Sequence, residues 1–214
     1  MHALTNLLRI IFYFICRTIL ALQFKITVKG RENIPPISRA LIVANHSSYL
    51  DVFVIAFALY NNLINLHWII SKANYNIWQL RWFYWFFPVI VVNGTVEKAK
   101  KALAENRWIV IFPEGAGRWC CIQDGGKKII PGKGASVIAL STGAPIIPIG
   151  ICGSDKALSP GKFKLNRKET VEVNIGKPFS FGIVNQERID DSLIEKTTNE
   201  IMQRIYALLP GQNS

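Results

Sequence analysis

The feature that most constrains this chain is an alternation. Short apolar runs with β-like composition at residues 24–29, 40–44, 89–92, 108–112, 146–151 and 171–175 are interleaved with helical patterns at 50–60, 96–105, 134–141 and 187–209. Strands that alternate with helices predict an α/β fold, a mixed, largely parallel central sheet covered by helices. At 214 residues the chain can bury one substantial core. One run stands apart, because Pro145 and Pro148 lie three residues apart in Ala144-Pro145-Ile146-Ile147-Pro148-Ile149. A proline cannot donate to a β-ladder, so the pair argues against a central, hydrogen-bonded place for this strand.

Residues 7–22 read LLRIIFYFICRTILAL. A signal peptide, a transmembrane helix, an interfacial helix and a helix packed on the protein's own core are the competing readings. Arg17 argues against burial in lipid, since a central Arg costs about 2.5–3.5 kcal/mol on insertion. No small-residue cleavage site follows. Arg9 and Arg17 fall on roughly the same side of a helix, which favours an amphipathic helix lying in a membrane interface. The expected organisation is therefore a membrane-binding helix over 1–23 and one domain over 24–214.

Charge and composition point the same way. Lys and Arg number 25 against 14 Asp and Glu, a net charge of +11, so an anionic partner is expected: nucleic acid, an acidic membrane or a phosphorylated substrate. With 50% hydrophobic residues, an apolar amino terminus and the aromatic cluster YNIWQLRWFYWFFPVIVV at 75–92, the expected partner is a phospholipid membrane surface and no nucleic acid. That cluster reads equally as interfacial surface, acyl-chain contact or aromatic core. Four cysteines, with Cys120 and Cys121 adjacent, and three dispersed histidines match no zinc spacing and no disulfide framework, so no metal is expected.

The chemistry-bearing residues cluster at strand ends. Asn45-His46-Ser47-Ser48-Tyr49-Leu50-Asp51 follows the 40–44 run directly, placing His46 at the carboxyl end of a strand, where α/β sheets put ligands. Ser48 and Asp51 form an S-x-x-D pattern that suits a helix start. On a continuous helix His46 and Asp51 would point about 140° apart, so they meet only if the chain turns between them. A carboxylate on Nδ1–H would fix the tautomer and leave Nε2 basic. H-x4-D alone is a weak signal, since a His in a capping loop satisfies it equally. The second strand end carries Phe112-Pro113-Glu114-Gly115 and then Arg118.

Together these segments resemble the glycerolipid acyltransferase family. NHSSYLD looks like its catalytic His-x4-Asp block, FPEG like its substrate-binding block and APIIPI like its Val-Pro-x-x-Pro block, in the right order and over roughly residues 25–180. Two departures stand out: the Arg after FPEG comes one position later than usual, at Arg118, and Val91-Val92-Asn93-Gly94 lacks the Arg that usually ends the second block.

The resemblance implies transfer of a fatty acyl group from acyl-CoA or acyl-carrier-protein to the free hydroxyl of a lysophospholipid acceptor, foremost 1-acylglycerol-3-phosphate, at the cytoplasmic face of a membrane. It assigns His46 and Asp51 as catalytic, and Glu114, Gly115, Arg118 and Pro145 as substrate-binding. Lys72 and Lys133, with Lys127 and Lys128, would add positive charge for a phosphate. No cofactor is implied. Backbone N–H groups around Glu114–Gly115 or Ser47 are the expected oxyanion donors. Alternatives are another lysolipid acceptor and a non-catalytic membrane-binding relative; the intact His46, Asp51 and Glu114 argue against the latter. The nucleophile-elbow and dinucleotide patterns each meet another residue where Gly belongs, at Ser154 and Cys120, and the Walker pattern fails on the spacing from Gly126 to Gly132.

Overall fold

The computed structural model describes residues 2–36, 39–70, 72–76, 81–91, 95–115, 130–159 and 165–210. Along the chain run α1 (His2–Gln23), β1 (Lys25–Lys29), β2 (Ala40–Ala44), α2 (Leu50–Ala58), β3 (Leu66–Ile70), α3 (Lys72–Tyr75), α4 (Arg81–Phe86), β4 (Val89–Val91), α5 (Thr95–Ala104), β5 (Trp108–Ile111), α6 (Gly134–Thr142), β6 (Ile146–Cys152), α7 (Ser154–Ala157), β7 (Thr170–Ile175) and α8 (Asp191–Tyr206). Among the described residues the strands form one seven-stranded sheet in the order β1-β7-β6-β2-β5-β3-β4. β6, β2, β5, β3 and β4 are mutually parallel, β7 runs antiparallel to β6, and β1 parallels β7. The mixed, largely parallel α/β sheet is as expected.

Alternate strand residues divide the core into two layers. Ala40, Ile42, Ala44, Val110, Ile147 and Ile149 pack beneath α1 and α2, whereas Leu41, Val43, Ile109, Ile111 and Ile146 pack beneath α5, α6 and α8. Every residue of β2 is buried, as a strand covered on both faces requires. The parallel strands end along one edge, which carries His46, Glu114 and Ser154.

Two expectations need correction. β6 is an interior strand, bonded to β2 and β7, despite its prolines. Pro145 precedes the strand and uses only its carbonyl, which accepts from Leu41 N at 2.8 Å. Pro148 points its missing N–H towards β7 just where that strand ends at Ile175, and its carbonyl still accepts from Gly176 N at 2.9 Å. The pair of Pro148 and Gly176 therefore keeps one of its two bonds, and the pairing resumes on the far side, where Ile146 N donates to Phe179 O at 2.7 Å. β3 was also absent from the expected strands, because residues 59–70 contain no Gly or Pro to separate a strand from the preceding helix.

The second correction concerns α1. Arg9 and Arg17 do share a side, but that side faces the protein: Arg9 Nε donates to Trp85 O at 3.1 Å, and the Arg17 guanidinium sits 4.5 Å from the Tyr60 ring centre and 5.1 Å from that of Phe57. Tyr13 and Leu20 are buried on the core, and the Tyr13 hydroxyl donates to Ala56 O at 2.9 Å. The opposite side is an exposed apolar stripe of Leu7, Leu8, Ile11, Phe14, Ile15, Ile19 and Leu22. Over Thr5–Gln23 the helix is long and apolar enough, by length and composition, to cross a membrane. The aromatic cluster divides: Phe87 is buried and Phe86 stacks on Phe12 of α1 at 3.9 Å, while Tyr75 and Trp85 are exposed.

The end of α8 is keyed into the sheet by glycine. A Cβ on Gly150 would lie 2.7 Å from Leu208 Cβ, and one on Gly176 would lie 2.8 Å from Pro148 Cγ and 3.1 Å from Leu208 Cδ1. Asn174 Nδ2 also donates to Leu208 O at 2.9 Å. Gly150→Ala should therefore lift the end of α8 and cost about 1–3 kcal/mol, as overpacking does. In urea unfolding it should lower the midpoint with the slope unchanged, and an unchanged midpoint would contradict this docking.

Candidate active site

The site begins where β2 gives out. Beyond Ala44 the ladder to β6 is continued by a side chain: Asn45 Nδ2 donates to Ile151 O at 2.8 Å and Asn45 Oδ1 accepts from Ile151 N at 2.7 Å. This fully buried amide takes the place of a backbone pair and frees the chain to turn at His46. The turn then runs into α2. Ser48 Oγ accepts from Leu50 N at 3.1 Å, and the Asp51 carboxylate reaches back to Ser48 N at 2.9 Å, the two reciprocal halves of a helix-start box.

That same turn brings His46 and Asp51 together, with Nδ1 and Oδ2 2.9 Å apart. Asp51 Oδ2 also accepts from Ser47 N at 2.8 Å. The Asp51 side chain is fully buried in the first turn of α2, where the helix dipole favours an anion. A carboxylate can only accept, so Nδ1 carries the proton and the basic lone pair lies on Nε2. The imidazole is 16% exposed and stacks on Phe112, with ring centres 4.1 Å apart and planes 17° apart.

β5 supplies the second wall. Phe112-Pro113-Glu114-Gly115 closes a turn in which Gly115 N donates to Phe112 O at 2.9 Å, and Gly115 needs its glycine for a φ of +60°. Gly132 N donates to Pro113 O at 2.7 Å and ties the returning chain to this turn. Glu114 is only 4% exposed. Its Oε2 accepts from His46 N at 3.0 Å, and its Oε1 accepts from the Tyr206 hydroxyl at 2.9 Å. Ser154, opening α7, bonds its hydroxyl to that of Ser47 at 3.2 Å.

The expected site residues therefore separate. His46, Asp51, Glu114 and Gly115 converge at the carboxyl edge of the sheet. Lys72, at the start of α3, is exposed beyond the same edge of β3. Lys133 stands just before α6 and is ion-paired to Asp191 at 2.7 Å, a contact that pushes its pKa above the ordinary lysine value. Pro145 lies at the opposite, amino-terminal end of β6 and is not brought to His46, since Leu41 rather than Ala44 is its neighbour. Arg118, Lys127 and Lys128 lie outside the described residues, as do Val92, Asn93 and Gly94.

Two of the expected oxyanion donors are engaged within the protein. Ser47 N is held by Asp51 and Gly115 N by Phe112 O, so both already serve the protein's own acceptors. Sequence reasoning also missed the roles of Asn45, Phe112 and Tyr206. For Asn45 a local signal existed, an amide directly after an apolar strand; Tyr206 is 92 residues from its partner and offered none. Among the described residues no three His, Cys, Asp or Glu side chains group as metal ligands.

Comparison with known proteins agrees with this geometry. Relatives described as 1-acyl-sn-glycerol-3-phosphate acyltransferases occur in Chlamydomonas reinhardtii, 27% identical over 163 residues, covering 72% of this chain and 46% of the relative, and in Borreliella burgdorferi, 33% identical over 135 residues, covering 58% and 50%. A third, from Bacillus subtilis, is 27% identical over 172 residues, covering 76% and 77%. The chain spans about half the length of most of the curated relatives it matches. The crystal structure of the 1-acyl-sn-glycerophosphate (LPA) acyltransferase PlsC from Thermotoga maritima shares the fold, with a TM-score of 0.59 at 21% identity over 84% of this chain and 71% of that one. The family model for acyltransferases matches residues 25–152, from the first residue of β1 to the last of β6. Because that stretch covers more than half of the chain and holds His46, Asp51 and Glu114 in their bonded arrangement, this protein belongs to the acyltransferase family.

Proposed function

We propose that this protein is an O-acyltransferase that moves a fatty acyl group from a thioester, acyl-CoA or acyl-carrier-protein, to the free hydroxyl of 1-acylglycerol-3-phosphate, giving phosphatidic acid. The observation that carries the reading is the buried Asp51 bonded to His46 Nδ1 at 2.9 Å at the carboxyl edge of the sheet. His46 Nε2 takes the proton of the acceptor hydroxyl as its oxygen attacks the thioester carbonyl carbon. The tetrahedral intermediate then breaks its C–S bond, and the imidazolium returns the proton to the departing thiolate. No acyl-enzyme forms. Asp51 stabilises the charge on the ring during transfer, and Phe112 holds the plane of the ring. Arg118 supplies the bidentate grip on the acceptor phosphate, with Lys72 adding charge.

The reaction takes place at a membrane surface. The support is the outward stripe of α1, seven exposed apolar residues with Trp85 exposed nearby, which suits insertion at the boundary between headgroups and acyl chains. We place the enzyme on the cytoplasmic face of that membrane, as the resemblance implies.

His46→Ala should lower turnover about 10²–10⁴-fold with folding retained, the size of general-base assistance. Asp51→Asn should be similarly severe, because a carboxamide no longer fixes the Nδ1–H tautomer. A thioester-dependent transfer assay on purified protein decides, and unchanged turnover in His46→Ala would falsify the mechanism.

Membrane binding should depend on the outer stripe rather than on the two arginines. Phe14→Glu with Ile15→Glu should weaken partition into vesicles about tenfold or more, given the transfer energy of two apolar side chains. Arg9→Ala should leave partition largely unchanged in the same flotation experiment; the opposite pattern would restore an arginine-led interface.

Arg118→Lys and Arg118→Ala should raise KM for lysophosphatidic acid more than KM for the acyl donor, by a factor set by about 1.5–3 kcal/mol. Equal effects on both substrates would make Arg118 structural.

A further inference from the structure

We propose that Tyr206, at the end of α8 and beyond the family match at residues 25–152, is a positioning residue that acts on His46 through Glu114. This rests on the reading of His46 as the general base. A continuous path of hydrogen bonds joins them: the Tyr206 hydroxyl donates to Glu114 Oε1 at 2.9 Å, and Glu114 Oε2 accepts from the His46 backbone N–H at 3.0 Å. Glu114 is 4% exposed, so its carboxylate has little water to replace either donor. With both donors present the carboxylate has one stable orientation, and that orientation pins the backbone at the point where β2 ends and the imidazole begins.

The path is built into the fold. Ile201, Met202 and Ile205 bury the inner side of α8 on the sheet, and Leu208 fits against Gly150 and Gly176 with its carbonyl bonded to Asn174. These contacts fix where the last turn of α8 lies and hence how far the Tyr206 hydroxyl reaches. The His46 ring is held by Asp51 and its backbone by Glu114, so its loop is restrained from two sides. Loss of the hydroxyl leaves Glu114 Oε1 short of a donor, releases the carboxylate from its single orientation and loosens the His46 backbone. Sub-ångström displacement of a base falls on the rate of proton transfer rather than on substrate binding.

Tyr206→Phe keeps the ring and deletes the hydroxyl. In the full-length protein with mixed vesicles it should lower kcat about tenfold while KM for acceptor and for donor each stay within about twofold. In a Glu114→Ala background the same change should lose its effect on kcat, since the proposed path from the hydroxyl to His46 runs through that carboxylate. If Glu114→Ala does not fold, the backbone amide proton of His46 decides: in Tyr206→Phe it should move upfield as its hydrogen bond lengthens. Parent kcat in Tyr206→Phe, a change confined to KM, effects that add in the double variant, or an unmoved His46 amide would each overturn the proposal. His46→Ala is measured alongside. An inactive His46→Ala beside a fully active Tyr206→Phe overturns the role of Tyr206 alone, whereas an active His46→Ala overturns the general base and this inference with it.

Discussion

A single carboxylate oxygen organises the site. Asp51 Oδ2 accepts from His46 Nδ1, Ser47 N and Ser48 N, all within 3 Å, from inside the first turn of α2. Two of these donors are backbone groups of the turn that leads into α2, so the bonds that hold the imidazole also set where the helix begins. Hydrogen bonds to an ionised group contribute about 1.5–3 kcal/mol each, which is why a fully buried Asp is tolerated here. The interaction needs β2 to stop at Ala44, and Asn45 makes it stop there without leaving Ile151 unpaired.

The restraint extends outward in layers. Asp51 fixes the ring, Phe112 fixes its plane, and Glu114 fixes the backbone beneath it. Asp51 comes from the start of α2 and the other two from the end of β5, so the site is held by the register of the sheet rather than by any local segment. β6 fits the same logic, since Pro148 still accepts from Gly176 N and Pro145 from Leu41 N, so the strand keeps its place despite its missing donors.

In the layer it shares with α2, α1 has two unlike faces. Its inner side is bound to the core by Tyr13, Leu20 and Phe12, and its arginines are absorbed by a carbonyl and by aromatic rings. The outer side is left apolar. An arginine drawn inward removes charge from the surface, so the helix presents a greasier exterior than its sequence suggests.

The sequence alone determined the alternation of strands and helices and the placing of His46 and Glu114 at strand ends, because each follows from local period and turn chemistry; the pairing of His46 with Asp51 followed from the resemblance of the blocks in their order, since the H-x4-D spacing by itself is satisfied by a capping loop. Its limits were equally local. β3 was illegible because no Gly or Pro separates it from the preceding helix within residues 59–70, and the inward turn of Arg9 and Arg17 was illegible because helical spacing shows that two residues share a side but not which way that side faces. Only the tertiary structure decided that Pro145 sits at the wrong end of β6 for the site, that the Ser47 and Gly115 amides are already bonded, and that Tyr206 reaches Glu114 across 92 residues of chain. Those outcomes depend on which strand lies beside which and on how deeply α8 sinks against Gly150 and Gly176, and burial of apolar surface, which is non-directional, sets both without leaving a pattern in any one segment.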